Sequence, residues 1–533
     1  MATDARPEQG LSHIMTDTPG DSDPATDKDS AGKDSAIKTN GAPPADAQSS
    51  GRTAARGMAW TALSLVVSKL LSFGSQVALG YLLAVDTYAV FALLTTAMIF
   101  VNGFQNPGVS KVLIQQHDRL DEILPDYSAF ALWLGSIGLV LFLVVGIGFE
   151  MTYDVRPLFW VIALAALSIP LKAATTVYMA VMSVNYDFRA ISMAEMKRSL
   201  FYYIVLVGAA ALGAAGYTMA LALVGATVVH VVLLKRATPG LRLSWKLSPR
   251  RFWQMTMEMR WVLLSAFLFA LGMNGDYLLL GEMLTAEELG YYFFGFTLVA
   301  NLTVMISMGI NQALLPLFSK LKHDLPQLRR QYLRISGAVT LMMSIICIGL
   351  VGVGPVLVHL VWGGKWDPAI VVVVSIAAIL PVRLTANLAG VVFESQGAWG
   401  WRLVTLIWDA GFILLCAFVG ATLGGFTGAT IAVALQRLVS GLLTFPLAAS
   451  KIGIAPRRTA SFFARCFTVY GIVVAAMLLA DPWRGVTVHE GTLILRPVLE
   501  TSAALAVFLA YNLAFNRELM IAMLGILRRK NTP

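Results

Sequence analysis

From about residue 58 onward the chain alternates between apolar runs of about twenty residues and short polar breaks. At about 1.5 Å rise per residue, such a run spans a hydrocarbon layer of about 30 Å. In lipid, a helix satisfies its own backbone groups and an open strand does not. The breaks place fourteen helices near 58–83, 88–112, 128–149, 157–184, 196–214, 217–234, 260–281, 289–316, 335–361, 369–393, 402–421, 425–448, 466–481 and 494–514.

Loop charge tests this count. With the N-terminus inside, the inner segments collect Arg52, Arg56, Lys111, Arg119, Arg189, Lys197 and Arg198, then the run "KRATPGLRLSWKLSPRRFWQ", and later Lys320, Lys322, Arg329, Arg330, Arg334, Arg402, Lys451, Arg457, Arg458 and Arg465. The outer loops hold only Arg156, Lys365, Arg484 and Arg496. This asymmetry is that of the positive-inside rule; it places both termini in the cytoplasm and requires an even number of spans. Trp245, Phe252 and Trp253 stand among the bases of the longest inner segment, 235–259, which reads as an amphipathic connector on the membrane face, as does the tail 516–533.

The chain also repeats itself. "LGYLLAVDTYAVF" (79–91) aligns with "LGEMLTAEELGYY" (280–292) at an offset of 201 residues, pairing Gly80 with Gly281, Leu83 with Leu284 and Asp86 with Glu287. The same offset pairs Gly108 with Gly309 and Leu113 with Leu314. Each copy falls at the turn between the first two helices of a half, and six helices separate them. The halves then share one orientation, related by an axis along the membrane normal, with a site between them. The expected fold class is an all-α polytopic membrane protein: an N-lobe over 58–234, a basic linker over 235–259, a C-lobe over 260–448, and two further helices over 466–514.

Composition agrees. Hydrophobic residues make up 57% and charged residues 13%, against about 25% charged in soluble domains. The first fifty residues differ: they lack aromatics and carry nine acids against four bases, which predicts a disordered cytoplasmic tail with no signal peptide. With that tail set aside, the net charge of the remaining chain rises from +9 to +14. Cys347, Cys416 and Cys466 lie far apart in apolar segments and read as buried filler.

Ionisable residues inside apolar helices are costly and therefore candidates for function. They are Lys69, Lys172, Arg383 and Arg437, with Asp276 and Asp409 as candidates for ion coupling. Lys172 and Arg437 lie nearer helix ends, where a long side chain can snorkel. Lys69, Ser72 and Gln76 share one face of the first helix; Asn102, Gln105 and Asn106 mark the second, and Thr303, Ser307, Asn311 and Gln312 the eighth. Such stripes either line a water-filled cavity or glue helices together. Of the four acids in "DYLLLGEMLTAEELGYY", Glu287 and Glu288 suit a helix start and Glu282 the membrane edge; Asp276 alone is embedded, a candidate for ion coupling or for pairing with a cavity cation. His230 and His359 are expected at the interface, and Glu394 at a solvated helix end.

Enzyme signatures are missing. "GGKWD" (363–367) lacks the first glycine and the hydroxyl of a nucleotide-binding P-loop, and no G-x-S-x-G or H-E-x-x-H occurs. No catalytic residue, metal, cofactor or nucleic-acid partner is expected.

Three blocks resemble the polysaccharide-transporter branch of the multidrug/oligosaccharidyl-lipid/polysaccharide (MOP) flippase superfamily, the Wzx-type oligosaccharide flippases. They are "LGYLLAVDTYAVFAL"; "DYLLLGEMLTAEELGYY" with "INQALLPLFSKLKHD" and "LRRQYLR"; and "VWGGKWDPA" (361–369). The chain departs from the family pattern at Tyr81 and Glu282, where a basic residue is common, at Val85 (commonly Pro) and at Ala89 (commonly Gly). The resemblance implies two six-helix lobes around a central cavity, two extra C-terminal helices, and an inner-membrane carrier of oligosaccharide joined through diphosphate to undecaprenol, serving exopolysaccharide, capsule or O-antigen synthesis. Membrane lipids, a polysaccharide polymerase and a chain-length regulator are the expected partners. A diphosphate needs cations in a low-dielectric cavity, which suits Lys69 and Arg383, with Lys172 and Arg437 behind them; neutral Asn and Gln suit sugar hydroxyls. A drug/cation antiporter of the same superfamily, a membrane-embedded polymerase or ligase, and a non-transporting scaffold remain alternatives.

Overall fold

The computed structural model describes residues 47–528 apart from 106–107, 154, 156 and 481–494. Within that range the side chains at 47–59, 62, 102–105, 111, 115, 117, 262, 302–313, 315–316 and 524–528 lie outside the description. Most of the expected tail and the loop at 482–493 therefore fall outside the described residues; the last four tail residues open the first helix.

The described residues form an all-helical protein. The N-lobe comprises α1 (Ala47–Leu82), α2 (Thr87–Gln105), the short α3 (Val109–Gln115), α4 (Leu120–Thr152), α5 (Leu158–Ala166), α6 (Ser168–Val184), α7 (Phe188–Ala211) and α8 (Tyr217–Ala237). The C-lobe comprises α9 (Pro249–Met283), α10 (Ala286–Lys320), α11 (Leu325–Trp362), α12 (Ile370–Ser395) and α13 (Trp399–Lys451). Then come α14 (Pro456–Leu479), α15 (Leu495–Phe515) and α16 (Arg517–Arg528). Among the described residues, ten helical segments are long and apolar enough to cross a membrane. One of them, α13, doubles back at Gly424 and Gly425 and so makes two passes. Gly425 has φ 56° and ψ −140°, a backbone that only glycine adopts readily. Just beyond the reversal the two arms press so close that a Cβ on Gly428 would strike the Gly420 carbonyl. With α2, α7 and α10, and with α5 and α6 taken as one broken pass, the described residues form the expected fourteen rods.

Helix starts follow local chemistry. The Asp86 carboxylate accepts from the Thr87 backbone N–H at 2.7 Å. Thr285 and Glu288 form a reciprocal capping box at α10, so Glu288 belongs to a helix cap. The equivalent turns of the repeat thus fall at the same place in both lobes.

Two expected boundaries move. The connector at 235–259 is mostly helix: α8 runs on to Ala237 and α9 begins at Pro249, because Ser248 caps it and proline suits the first helical turn. Only 238–248 crosses between the lobes. It is tied to α4 by Trp133 Nε1 donating to the Trp245 carbonyl (3.2 Å) and by Ser244 N–H donating to Ser128 Oγ (3.1 Å). Likewise α14 begins at Pro456, ten residues before the apolar run, and carries three arginines in its first turns. Helix outlasts hydrophobicity there because the backbone prefers to stay paired where the side chains already reach water.

Candidate functional site

The two lobes meet along α1 and α2 on one side and α9 and α10 on the other. At the end of the bundle that carries few bases they are latched together. Tyr153, at the close of α4, donates its hydroxyl to the Leu278 carbonyl on α9 (2.7 Å). Trp362, at the close of α11, donates its indole N–H to the Val77 carbonyl on α1 (3.1 Å). Val77 and Leu278 differ by the same 201 residues that define the sequence repeat. Gly80 and Gly281, the paired glycines of that repeat, make room: a Cβ on Gly281 would sit 2.9 Å from the Tyr153 ring, and one on Gly80 would overlap the Trp362 indole. Lys365 and Trp366 add donors to the Gly80 carbonyl at 3.0 Å each, and Gly290 lies directly against the Val85 carbonyl. Phe294 stacks on Trp366 with centroids 3.9 Å apart, and Tyr88 meets the same indole edge-on. The block "VWGGKWDPA" supplies the indole half of this latch, through Trp362, Lys365 and Trp366.

Deeper between the lobes lies a polar cluster. Gln76 on α1 accepts from the Asn301 side-chain amide on α10 (2.9 Å) and donates to the Phe294 carbonyl (3.4 Å). Lys69 Nζ, two turns toward the basic end, donates to the Asn301 side-chain amide oxygen at 3.4 Å, and the Ser72 hydroxyl donates to it at 3.5 Å. Among the described residues Lys69 has no carboxylate partner, and the undescribed stretches of α2 and α10 contain no acid in sequence. Lys172 on α6 is half-buried and also lacks a carboxylate partner among the described residues; its electrostatic neighbour is another cation, Arg198. Arg198 is bonded to Glu195 on the same helix, and His230 of α8 lies 3.5 Å from that carboxylate. His230 is thus buried inside the lobe rather than at an interface.

The C-lobe treats its cations differently. Arg383 on α12 bonds Asp409 on α13 at 3.0 Å, and Gln436 donates to the same carboxylate at 2.9 Å. Arg437 bonds Asp276 on α9 at 3.2 Å; Tyr292 donates to that carboxylate at 2.7 Å, and the guanidinium lies over the Phe296 ring. The Arg437 side chain is 4% exposed and that of Asp276 0%. Arg437 therefore does not snorkel: a fully buried carboxylate draws it inward. Residues read from the sequence as separate candidates form two ion pairs. Glu394 pairs with Arg402 at 3.4 Å.

The side chains of Asn102, Gln105, Asn311 and Gln312, and Asn106 entirely, lie outside the described residues. Sequence reasoning missed Asn301, the hub of the α1–α10 contact, although it stands two positions before the polar stripe at 303. It also missed Gln436, Tyr292 and the Glu195–Arg198 pair, whose i, i+3 spacing was visible.

This architecture is shared with solved transporters. A structure of the lipid II flippase MurJ in an inward closed conformation superposes with a TM-score of 0.65 at 10% identity, covering 86% of this chain and 99% of that one. An inward-facing multidrug resistance MATE family transporter gives 0.61 at 12% identity, covering 72% and 94%. At those identities the likeness is one of fold: a polytopic helical membrane protein. The family described as "Polysaccharide biosynthesis protein" matches residues 78–371, more than half of the chain, and this chain belongs to it. It is 21% identical over 374 residues to the teichuronic acid biosynthesis protein TuaB of Bacillus subtilis (strain 168), covering 67% of this chain and 74% of that one. It is 22% identical over 411 residues to the lipopolysaccharide biosynthesis protein WzxC of Escherichia coli (strain K12), covering 73% and 79%.

Proposed function

We propose that this protein carries a lipid-linked oligosaccharide, joined through diphosphate to undecaprenol, across the bacterial inner membrane for exopolysaccharide, capsule or O-antigen assembly. The observation that carries the reading is the uneven pairing of membrane-embedded cations. Arg383 and Arg437 already hold carboxylates, whereas among the described residues Lys69 and Lys172 hold none. An anionic substrate entering between the lobes would supply the missing countercharge; a diphosphate brings enough charge for both lysines. Gln76 and Asn301, with Asn102, Gln105, Asn106, Asn311 and Gln312, offer hydroxyl partners for the sugars. The embedded acids argue against a drug/cation antiporter: Asp276 and Asp409 are each taken by an arginine, leaving no free carboxylate there for a cationic cargo.

The basic end faces the cytoplasm in this reading, as do both termini, and the latched end faces outward. The molecule is then closed outside. Substrate enters from the cytoplasmic side, the latch opens as the lobes rock, and 238–248 joins them through the cycle. The Arg383–Asp409 and Arg437–Asp276 pairs are candidates to loosen during that motion and couple it to an ion. A polymerase and a chain-length regulator would receive the product.

Deleting the gene should abolish surface polysaccharide and accumulate lipid-linked repeat units that remain reachable only from the cytoplasm. Unchanged polymer in a strain with no second flippase would refute the proposal. In reconstituted vesicles, Lys69→Ala should slow flipping by about tenfold or more, as expected for one lost charge contact with phosphate, and Lys69→Ala/Lys172→Ala should slow it further, both at wild-type abundance. Undiminished flipping in the double variant would remove these lysines from the substrate path.

A further inference from the structure

A second basic feature lies away from the lobe interface. Where α11, α14 and α16 begin, a concave pocket of about 1530 Å³ is lined by seven arginines and a single acid, Glu518. Arg329 is structural: its Nε donates to the Ile452 carbonyl, and Gly453 leaves space for its guanidinium. The other six, Arg330, Arg334, Arg457, Arg458, Arg465 and Arg517, have exposed side chains and no ion pair among the described residues. The walls are fixed by the Asn516 side chain donating to the Arg465 carbonyl (3.1 Å) and by Leu519 packed on Gly337. Beside the arginines the pocket is apolar, with Leu333, Phe462 and Leu519 within it and Phe515 and Ile521 largely exposed at its edge.

We infer that this pocket binds an anionic membrane phospholipid whose head group carries two phosphates. The positive-inside rule asks only that bases lie on this side of the membrane. It does not gather arginines from separate helices into one concavity, where they repel one another. Nor does it select arginine: every base in the pocket is arginine, although Lys320 and Lys322 stand nearby in sequence. Guanidinium forks match phosphate oxygens in pairs, and two phosphates would relieve the crowding. The starts of three helices add their positive dipole ends. A free anion would make no use of the apolar edge, whereas Phe515 and Ile521 suit the first segments of acyl chains. The pocket stands outside the path between the lobes, so its occupant is a resident lipid that holds α14–α16 against α11. The inference is independent of what the lobes transport.

The test uses full-length, delipidated protein in detergent, titrated with cardiolipin, phosphatidylcholine, undecaprenyl diphosphate and inorganic pyrophosphate, with bound species counted by native mass spectrometry. Cardiolipin should bind saturably and phosphatidylcholine should not. Arg330→Gln/Arg458→Gln/Arg517→Gln, all at exposed positions, should weaken cardiolipin binding by at least about tenfold without changing the elution profile. Unchanged cardiolipin binding in the triple variant overturns the assignment. So does pyrophosphate binding as tightly as cardiolipin, which would make this a free-anion site. Tighter binding of undecaprenyl diphosphate than of cardiolipin also overturns it, in favour of a substrate-docking site.

Discussion

Replacing Arg437 by leucine is expected to destabilise the protein by about 3–5 kcal/mol, enough to empty the membrane of folded material. Asp276 is fully buried, and after the substitution the Tyr292 hydroxyl would be the one hydrogen-bond partner left to its charge among the described residues. Burying two charges is itself expensive, so removing both is gentler than removing one. Arg437→Leu/Asp276→Leu should therefore recover most of the lost stability, read as the midpoint of thermal unfolding monitored by size-exclusion fluorescence. A single variant as stable as wild type, or a double variant worse than the single, would show that the pair is not the unit described. If the double variant folds but flips slowly, the pair works in transport as well as in folding.

The second large effect is expected at Gly290. Its α-carbon lies against the Val85 carbonyl, a backbone group held by the α1–α2 turn and unable to swing aside as a side chain can. Gly290→Leu must push the lobes apart at the latched end. Overpacking of this kind costs about 1–3 kcal/mol, which shifts a two-state population by roughly fivefold to a hundredfold or more. With Cys347, Cys416 and Cys466 replaced by alanine, a cysteine introduced at buried Phe293 should then react with a membrane-impermeant maleimide much faster in the Gly290→Leu background. Equal labelling in both backgrounds would mean that this contact does not govern opening. Flipping should fall in parallel, because a carrier held open on one side cannot complete its cycle.

The bundle was legible in the sequence because the membrane forces it to be. Each pass needs its own apolar run, and the short loops keep inner and outer charges apart. The repeat at 79–91 and 280–292 was legible for a related reason: it marks turns that glycines and helix caps define locally. What escaped was everything decided between helices. No spacing along the chain reveals that Arg383 finds Asp409 or that Arg437 finds Asp276, since those partners lie 26 and 161 residues away. Sequence reasoning sorted the four embedded cations by depth, with Lys69 and Arg383 central and Lys172 and Arg437 nearer helix ends; among the described residues packing divides them differently, giving Arg383 and Arg437 carboxylates and Lys69 and Lys172 none. The connector at 235–259 was misjudged because amphipathic composition describes a helix lying on a membrane and the first turns of a helix entering one equally well. Ser248 followed by Pro249 was the local sign of the second.

The latch has a bearing on how such a chain can change over generations. Its acceptors are the backbone carbonyls of Val77 and Leu278, which every substitution leaves in place. Only a donor of suitable reach is required opposite, and this molecule uses a phenol in one half and an indole in the other. After an ancestral duplication the two halves could therefore drift apart in side-chain identity while the closure stayed symmetric, provided the glycines at 80 and 281 stayed small. The lasting record of that duplication is accordingly kept in main-chain geometry and two missing β-carbons, more than in matching letters.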